Sequence, residues 1–388
     1  MKGSQKPELD MEKTARFLGL SVSRLERLLE KRLLSRNWGK YTNFFRFETS
    51  VSGIERGSVL LQKRDGKLDL ILGFPKIQRA MLLEPSINNH FSEIDKLIVE
   101  EKMNGYNVRV IEDAGKLIAF TRSGHVCPYS TEKVNYLLDL SFFRQYQDLV
   151  VHGEMAGPEN PYVSKKVYDT QTLDFFVFDI RHKKTGQPLP VKQRRKLASS
   201  FGFKQVPFLG EFARKEAAEK IMQIIKKLGE MGHEGVVIKD LDMDLAPIKY
   251  TCSQSNCADL EHAFKFYNEV GRDYLYSRVV REGFQTVEWD EDEETMDKRA
   301  LRLGRSIISP MADSVRRVGK GEKLYDEVTL RFQNPQTLQE FEEYFRRLGI
   351  DAIFDQVGYS GGELMVKLQK LNQSTTDKTE SMWEGNLW

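Results

Sequence analysis

The chain has 388 residues, too many for one ordinary core, so two to four domains are expected. Its 59 Lys+Arg against 57 Asp+Glu leave a net charge of only +2, which excludes a uniformly basic nucleic-acid coat but allows a basic face balanced by acidic regions elsewhere. Cys127, Cys252 and Cys257 are an odd, scattered set without a Cys-x-x-Cys pair, which argues against a disulfide framework or a zinc site and fits a reducing, intracellular setting.

In chain order, the opening Met1-Lys2-Gly3-Ser4-Gln5-Lys6-Pro7 carries no signal-peptide pattern. No later stretch reaches the roughly 18 to 20 apolar residues of a membrane span, so a soluble cytoplasmic protein is expected. Residues 8–34 place leucines at three- and four-residue spacings around Gly19, predicting two short helices that pack rather than read DNA. Strand-like runs follow at 43–48, 58–62 and 67–72, the last two forming a hairpin across Asp65-Gly66.

From 85 to 252, short apolar runs separated by turns, with one helix over 214–231, predict an α+β domain built around antiparallel sheets. Leu260, Ala263, Phe264, Tyr267, Val270 and Tyr274 make one helical stripe over 259–275, and a second helix is expected over 295–318. The acidic run 288–294 between them reads as a solvated loop or helix start. A strand at 327–332, a helix opening at Asn334-Pro335, and strands at 350–357 and 364–368 joined across Ser360-Gly361-Gly362 make a small α/β module. The polar residues 372–388 are expected to fray. The expected division is an N-terminal module (1–84), a central domain (85–252), a helical module (253–320) and the small C-terminal module (321–388).

Lysine followed three residues later by glycine occurs at Lys63, Lys102, Lys183 and Lys226, so the pair alone selects nothing. Lys63 and Lys183 belong to polar turns and Lys226 to a helix end. Lys102 instead stands between two apolar runs, in Val99-Glu100-Glu101-Lys102-Met103-Asn104-Gly105-Tyr106-Asn107-Val108, where a strand end presents an amine beside a glycine turn. A lysine amine of pKa ~10.4 is a poor nucleophile until desolvation or nearby cations depress that value. Glu234-Gly235-Val236-Val237-Ile238-Lys239 and Pro247-Ile248-Lys249-Tyr250 each deliver a lysine from an apolar run, as two cations on a phosphate require. Two further runs end in carboxylates. In them Glu154 of His152-Gly153-Glu154 offers an acceptor for a ribose hydroxyl, and Phe178 of Phe178-Asp179-Ile180 a flat face for a purine.

Taken in order with Thr121-Arg122-Ser123-Gly124, these six motifs resemble the covalent nucleotidyltransferases, which include polynucleotide ligases and messenger-RNA capping enzymes. Asn104 and Asn107 stand where DNA ligases and cappers usually carry Asp and Arg. The Glu-Lys-x-x-Gly-x-Asn form, with helices and an α/β module after Lys249 instead of a β-barrel, looks like the archaeal-type homodimeric ATP-dependent RNA ligases.

The resemblance implies an ATP-grasp-like adenylation domain in which Lys102 carries AMP covalently, Glu154 binds the ribose, Phe178 stacks on adenine, and Lys239 and Lys249 meet phosphates. Glu234 is implied to hold magnesium or manganese, with Glu100, Gly105, Asn107 and Arg122 also lining the nucleotide site. It further implies RNA with 5′-phosphate and 3′-hydroxyl ends as substrate, joining between or within molecules (the latter closing a circle), and a homodimer associating through the helical module. The rival readings are a DNA ligase, a GTP-using capping enzyme and a catalytically silent RNA-binding scaffold. The basic stretches 192–196 and 316–317 are candidates for RNA phosphates.

Overall fold

A computed structural model describes residues 9–163, 168 and 170–387; the opening residues inspected for a leader lie outside it, as does Trp388. Two capped helices begin the described chain. In α1 (Met11–Leu18), Asp10 accepts from the Lys13 N–H and Gly19 ends the helix at φ 66°; in α2 (Val22–Glu30), Ser21 accepts from Arg24. Their leucines bury against one face of the antiparallel sheet β1 (Leu34–Arg36), β2 (Phe44–Phe47), β3 (Val59–Gln62), β4 (Leu68–Ile71), with β3 and β4 paired as expected. A two-residue strand, β5 (Gln78–Arg79), and α3 (Leu83–His90) lead on to the central region.

Two sheets face each other there. The strands are β6 (Lys96–Lys102), β7 (Tyr106–Asp113) and β8 (Lys116–Thr121), then, after α4 (Pro128–Leu137) and α5 (Leu140–Gln145), β9 (Leu149–Ala156) and β10 (Asp174–His182). After α6 (Val191–Ser200) come β11 (Phe208–Ala213), α7 (Arg214–Glu230), β12 (Gly235–Asp240) and β13 (Ile248–Thr251). One sheet has the order β10-β9-β7-β8 and the other β11-β6-β12-β13-β5. The second is antiparallel except for β5, which lies parallel to β13 and draws the sheet edge from ahead of residue 85. Ala217, Ile221, Ile225 and Leu228 of α7 pack with Leu83 and Ile87 of α3 against its back, so its other face is left to bear chemistry.

Three helices follow: α8 (Ser253–Lys265), α9 (Arg272–Glu288) and α10 (Glu293–Val318). The single stripe expected over 259–275 is thus two helices. Phe266 leaves the helix to bury with Val318 and Leu324, and Gly271 caps the next one. Of the two readings of the acidic run, the helix start holds, while Glu288 and Glu291 are bonded and not simply solvated. Glu288 accepts from the Leu83 N–H and the Tyr250 hydroxyl, Glu291 pairs with buried Arg299, and Asp292 caps α10.

The last module is the sheet β14-β16-β15, made of β14 (Tyr325–Phe332), β15 (Ala352–Ser360) and β16 (Glu363–Leu371), covered by α11 (Pro335–Arg347). The segment expected to fray forms α12 (Gln373–Trp383) instead. Its buried threonines are tied by hydrogen bonds, Thr375 to the Asn268 N–H and Thr376 to the Leu324 N–H. A continuous core joins Trp38 and Phe44 of the N-terminal region, the β7–β10 sheet, and Phe332, Phe341 and Tyr344 of the C-terminal module. No helix among the described residues is long and apolar enough to cross a membrane.

Candidate active site

The two central sheets and the α8–α10 helices enclose a cavity of about 1720 Å³, larger than the ~300–1,000 Å³ of an ordinary small-molecule site. Glu100, Lys102, Gly105, Asn107, Arg122, Glu154, Phe178, Glu234, Lys239 and Lys249 all line it, so the structure brings every candidate residue together.

Lys102 ends β6, and its Nζ lies 2.8 Å from Glu234 Oε2 with 21 % of its side-chain surface open. Burial presses the amine down, yet Glu234 and then Glu154 outweigh it and hold the pKa above its ordinary value. The expected depression is therefore absent, because the carboxylates of Glu234 and Glu154 outweigh burial. Glu154 projects from β9 and is pushed up to about 7 by burial, against the pull of Lys102 and with the push of Glu234. Asn107, its cross-strand partner on β7, has a buried Oδ1 without a hydrogen bond among the described residues. The turn between β6 and β7 needs glycine for lack of room: a Cβ on Gly105 would stand 2.2 Å from the Met155 carbonyl oxygen.

Lys239 and Glu100 are two strands' worth of one buried pair, 2.7 Å apart, and Lys239 also donates to the Phe178 carbonyl at 3.0 Å. Arg194 and Arg195 of α6 meet the same carboxylate. Burial alone would raise Glu100, but Lys239 and Arg194 bring it to about 2. The basic stretch 192–196 is thus partly turned inward: Arg194 is fully buried on Glu100 and the Phe178 carbonyl and is not an exposed RNA contact. Phe178 meets Phe74 edge-on, ring centroids 5.1 Å apart, leaving an aromatic corner above the pair.

Lys249 has no ion pair among the described residues. Burial, then Lys102 and Arg79, lower it to about 8. Behind Lys102, Glu101 faces the other way and lies 2.8 Å from His233 Nδ1, while the Tyr168 hydroxyl accepts from the Asn104 N–H at 2.6 Å. Across the cavity, Arg278 of α9 is held by Asp259 at 2.9 and 3.1 Å and lies over the Tyr274 ring. Sequence reasoning missed Phe74, Tyr168, His233, Tyr274 and Arg278 at the site and read Arg194 and Arg195 only as RNA contacts; all lie outside the motifs and come together only through folding.

Comparison with known proteins gives the family of the chain. The RNA ligase family pattern matches residues 95–251, and the pattern of the Ligase Pab1020 C-terminal region matches 262–386. The chain is 36% identical over 387 residues to the uncharacterized protein MJ0414 of Methanocaldococcus jannaschii, covering 98% of this chain and 97% of that one. An archaeal ATP-dependent RNA ligase, solved in two forms, superposes with a TM-score of 0.91 at 38% identity over 98% of this chain and 100% of its own. An Aquifex aeolicus protein provisionally named an ATP-dependent DNA ligase gives 0.87 at 26% identity, over 95% of this chain and 100% of its own. Matched from end to end by both sequence and structure, the chain belongs to the archaeal ATP-dependent RNA ligase family.

Proposed function

We propose that this chain joins RNA 5′-phosphate and 3′-hydroxyl ends at the expense of ATP, through AMP carried on Lys102. The observation that carries the reading is a strand-end lysine opening on a cavity with the unpaired Lys249, two carboxylates and an aromatic corner. Adenine stacks on Phe178 beside Phe74, above the Glu100–Lys239 pair, and Glu154 accepts from the ribose. Asn107 and Arg122 line the path of the α-phosphate, and Lys249 neutralises it. The Lys102 amine sheds its proton by way of Glu234 to water and forms an N–P bond at the α-phosphorus, while the bond to the β-phosphate oxygen breaks and pyrophosphate leaves with that electron pair. The RNA 5′-phosphate then takes AMP from Lys102, and a 3′-hydroxyl displaces AMP to seal the strand, between molecules or within one as a circle.

Glu154 and Glu234 are two carboxylates crowded at one partly buried place, which suits a divalent cation. No cluster of three or more acidic, His or Cys groups able to hold a metal exists among the described residues, so substrate oxygens and water must complete its shell. Magnesium or manganese on Glu234 would supply positive charge against that developing on the phosphates and loosen the Lys102 ammonium from its carboxylate. A second copy of the chain fits the helical module, where Tyr276 (71 % exposed) and Val287 (78 %) of α9 and Leu301 (56 %) and Ile308 (63 %) of α10 face outward.

The test is incubation of protein stripped of AMP with α-labelled ATP and magnesium, then denaturing electrophoresis. A labelled band in the wild type, absent in Lys102→Ala, is expected; a band that survives in the mutant sinks the assignment. The related DNA-ligase name makes a nicked DNA the informative rival acceptor, and sealing of DNA in preference to RNA would overturn the substrate.

A further inference from the structure

The cavity face of the β11-β6-β12-β13-β5 sheet carries one row of cross-strand partners: Glu100 on β6, Val237 on β12, Lys249 on β13 and Arg79 on β5. Register partners point to the same face of a sheet, so Arg79 stands on the face that bears Lys249. The row has a direction. It starts beneath Phe178, where Lys239 and Arg194 hold Glu100, crosses to Lys249, and ends at Arg79 on the sheet edge, farthest from the aromatic corner.

Lys102 is on β6 and Arg79 on β5, three strand spacings or about 14 Å apart. They press on Lys249 from opposite sides, and both depress its pKa. A phosphorus atom resting over Lys249 therefore has the nucleophile on one side and Arg79 on the other, as an in-line displacement arranges attacking and leaving groups. Arg79 is half-buried and, among the described residues, makes neither a hydrogen bond nor an ion pair through its guanidinium. Burial and then Arg278 make its charge costly, with only partial relief from Glu234 and Asp259. A guanidinium kept beside other cations without a direct partner is suited to receive an anion. Lys76 and Ile77, just ahead of it, already line the cavity.

We propose that Arg79, with Arg278 facing it from α9, forms a pyrophosphate site that takes the β- and γ-phosphates of ATP as they leave Lys102. It rests on the adenylation reading above. In the step concerned, the N–P bond to Lys102 forms, the Pα–O bond to the β-phosphate breaks, and the electron pair departs on the pyrophosphate oxygen that Arg79 meets. The site lies on a residue outside all six motifs, contributed by the strand that precedes the nucleotidyltransferase sequence.

The experiment compares wild type, Arg79→Gln and Arg79→Lys as full-length protein in three assays: AMP attachment from ATP, release of ATP from the charged enzyme by inorganic pyrophosphate, and sealing of RNA already carrying a 5′-adenylate. Arg79→Gln is expected to slow the first two by about tenfold or more and to leave the third within about twofold, with Arg79→Lys in between. Inorganic pyrophosphate should also raise the melting temperature of the wild type more than that of Arg79→Gln. Equal rates of AMP attachment in wild type and Arg79→Gln would overturn the site. So would a loss confined to the third assay, which would assign Arg79 to the RNA phosphate, or an equal loss in all three with unchanged melting. If Arg79→Gln fails to fold, the same split read on Arg79→Lys decides. A wild type that forms no adduct indicts the adenylation reading instead.

Discussion

Glu234 holds the Lys102 amine above its ordinary pKa, while Lys249 is lowered to about 8, so the proposed reaction is drawn in opposite directions as pH changes. In the proposed mechanism attack needs Lys102 neutral, a form that grows with pH because its pKa lies above the ordinary value, and anion binding needs Lys249 charged, a form lost above about 8. The kcat/KM for AMP attachment should therefore climb up to about pH 8 and flatten beyond it, where the gain at one lysine meets the loss at the other; a fall starting well below pH 8 contradicts this. Glu154 gives a stability counterpart. Its folded-state pKa of about 7 exceeds its unfolded value, so the folded protein holds a proton that the unfolded chain releases, and stability is lost as pH rises from about 4.5 through 7. Glu154→Gln should accordingly melt higher than wild type at pH 8 and about level with it at pH 4.5, while AMP attachment falls. The motifs at Lys102, Glu154, Lys239 and Lys249 were legible because each is a contiguous run whose apolar residues announce a strand and whose polar residue stands at or near its end. Arg194 and Arg195 were not, because their partner Glu100 is 94 and 95 residues away and nothing local distinguishes an inward arginine from a solvated one.

Most secondary elements followed from period and punctuation, as with the hairpin across Asp65-Gly66 and the Asn334-Pro335 start of α11. The break between α8 and α9 was hidden because Phe266 and Tyr267 in the turn are as apolar as the helices beside it and keep the three-to-four spacing. The last helix escaped for the opposite reason: α12 is fixed by threonine hydroxyls, which give no apolar stripe to read. Polar fastening also sets the C-terminal module against α4, where the buried Glu132 carboxylate accepts from the Gln333 and Asn334 N–H groups at 2.9 and 3.1 Å. Glu132→Ala would strand both donors at an interface, and a loss of about 2–3 kcal/mol in urea unfolding is expected. A change within 0.5 kcal/mol would show that water replaces the carboxylate.

At the scale of the whole molecule, Tyr276, Val287, Leu301 and Ile308 of α9 and α10 are exposed and are not among the residues lining the cavity, although Ile308 adjoins Ser309 and Pro310, which are. Val287→Asp combined with Ile308→Asp should give a monomer in equilibrium sedimentation at micromolar concentration while AMP attachment persists; a wild type that is itself monomeric removes the dimer from the proposal. The sequence divides the chain at about 85, 252 and 320, but the core does not follow those divisions, for Trp38 meets Tyr344 and Tyr129 meets Phe332 across some 200 to 300 residues of chain. That continuity has a consequence in time. On a ribosome adding ~5–20 residues per second, the β7–β10 sheet emerges on the order of ten seconds before the C-terminal strands that share its core. For that interval the nascent chain presents the unpaired aromatic face around Tyr129, and the growing protein depends on chaperone cover or on slow collapse to reach its last hundred residues unaggregated.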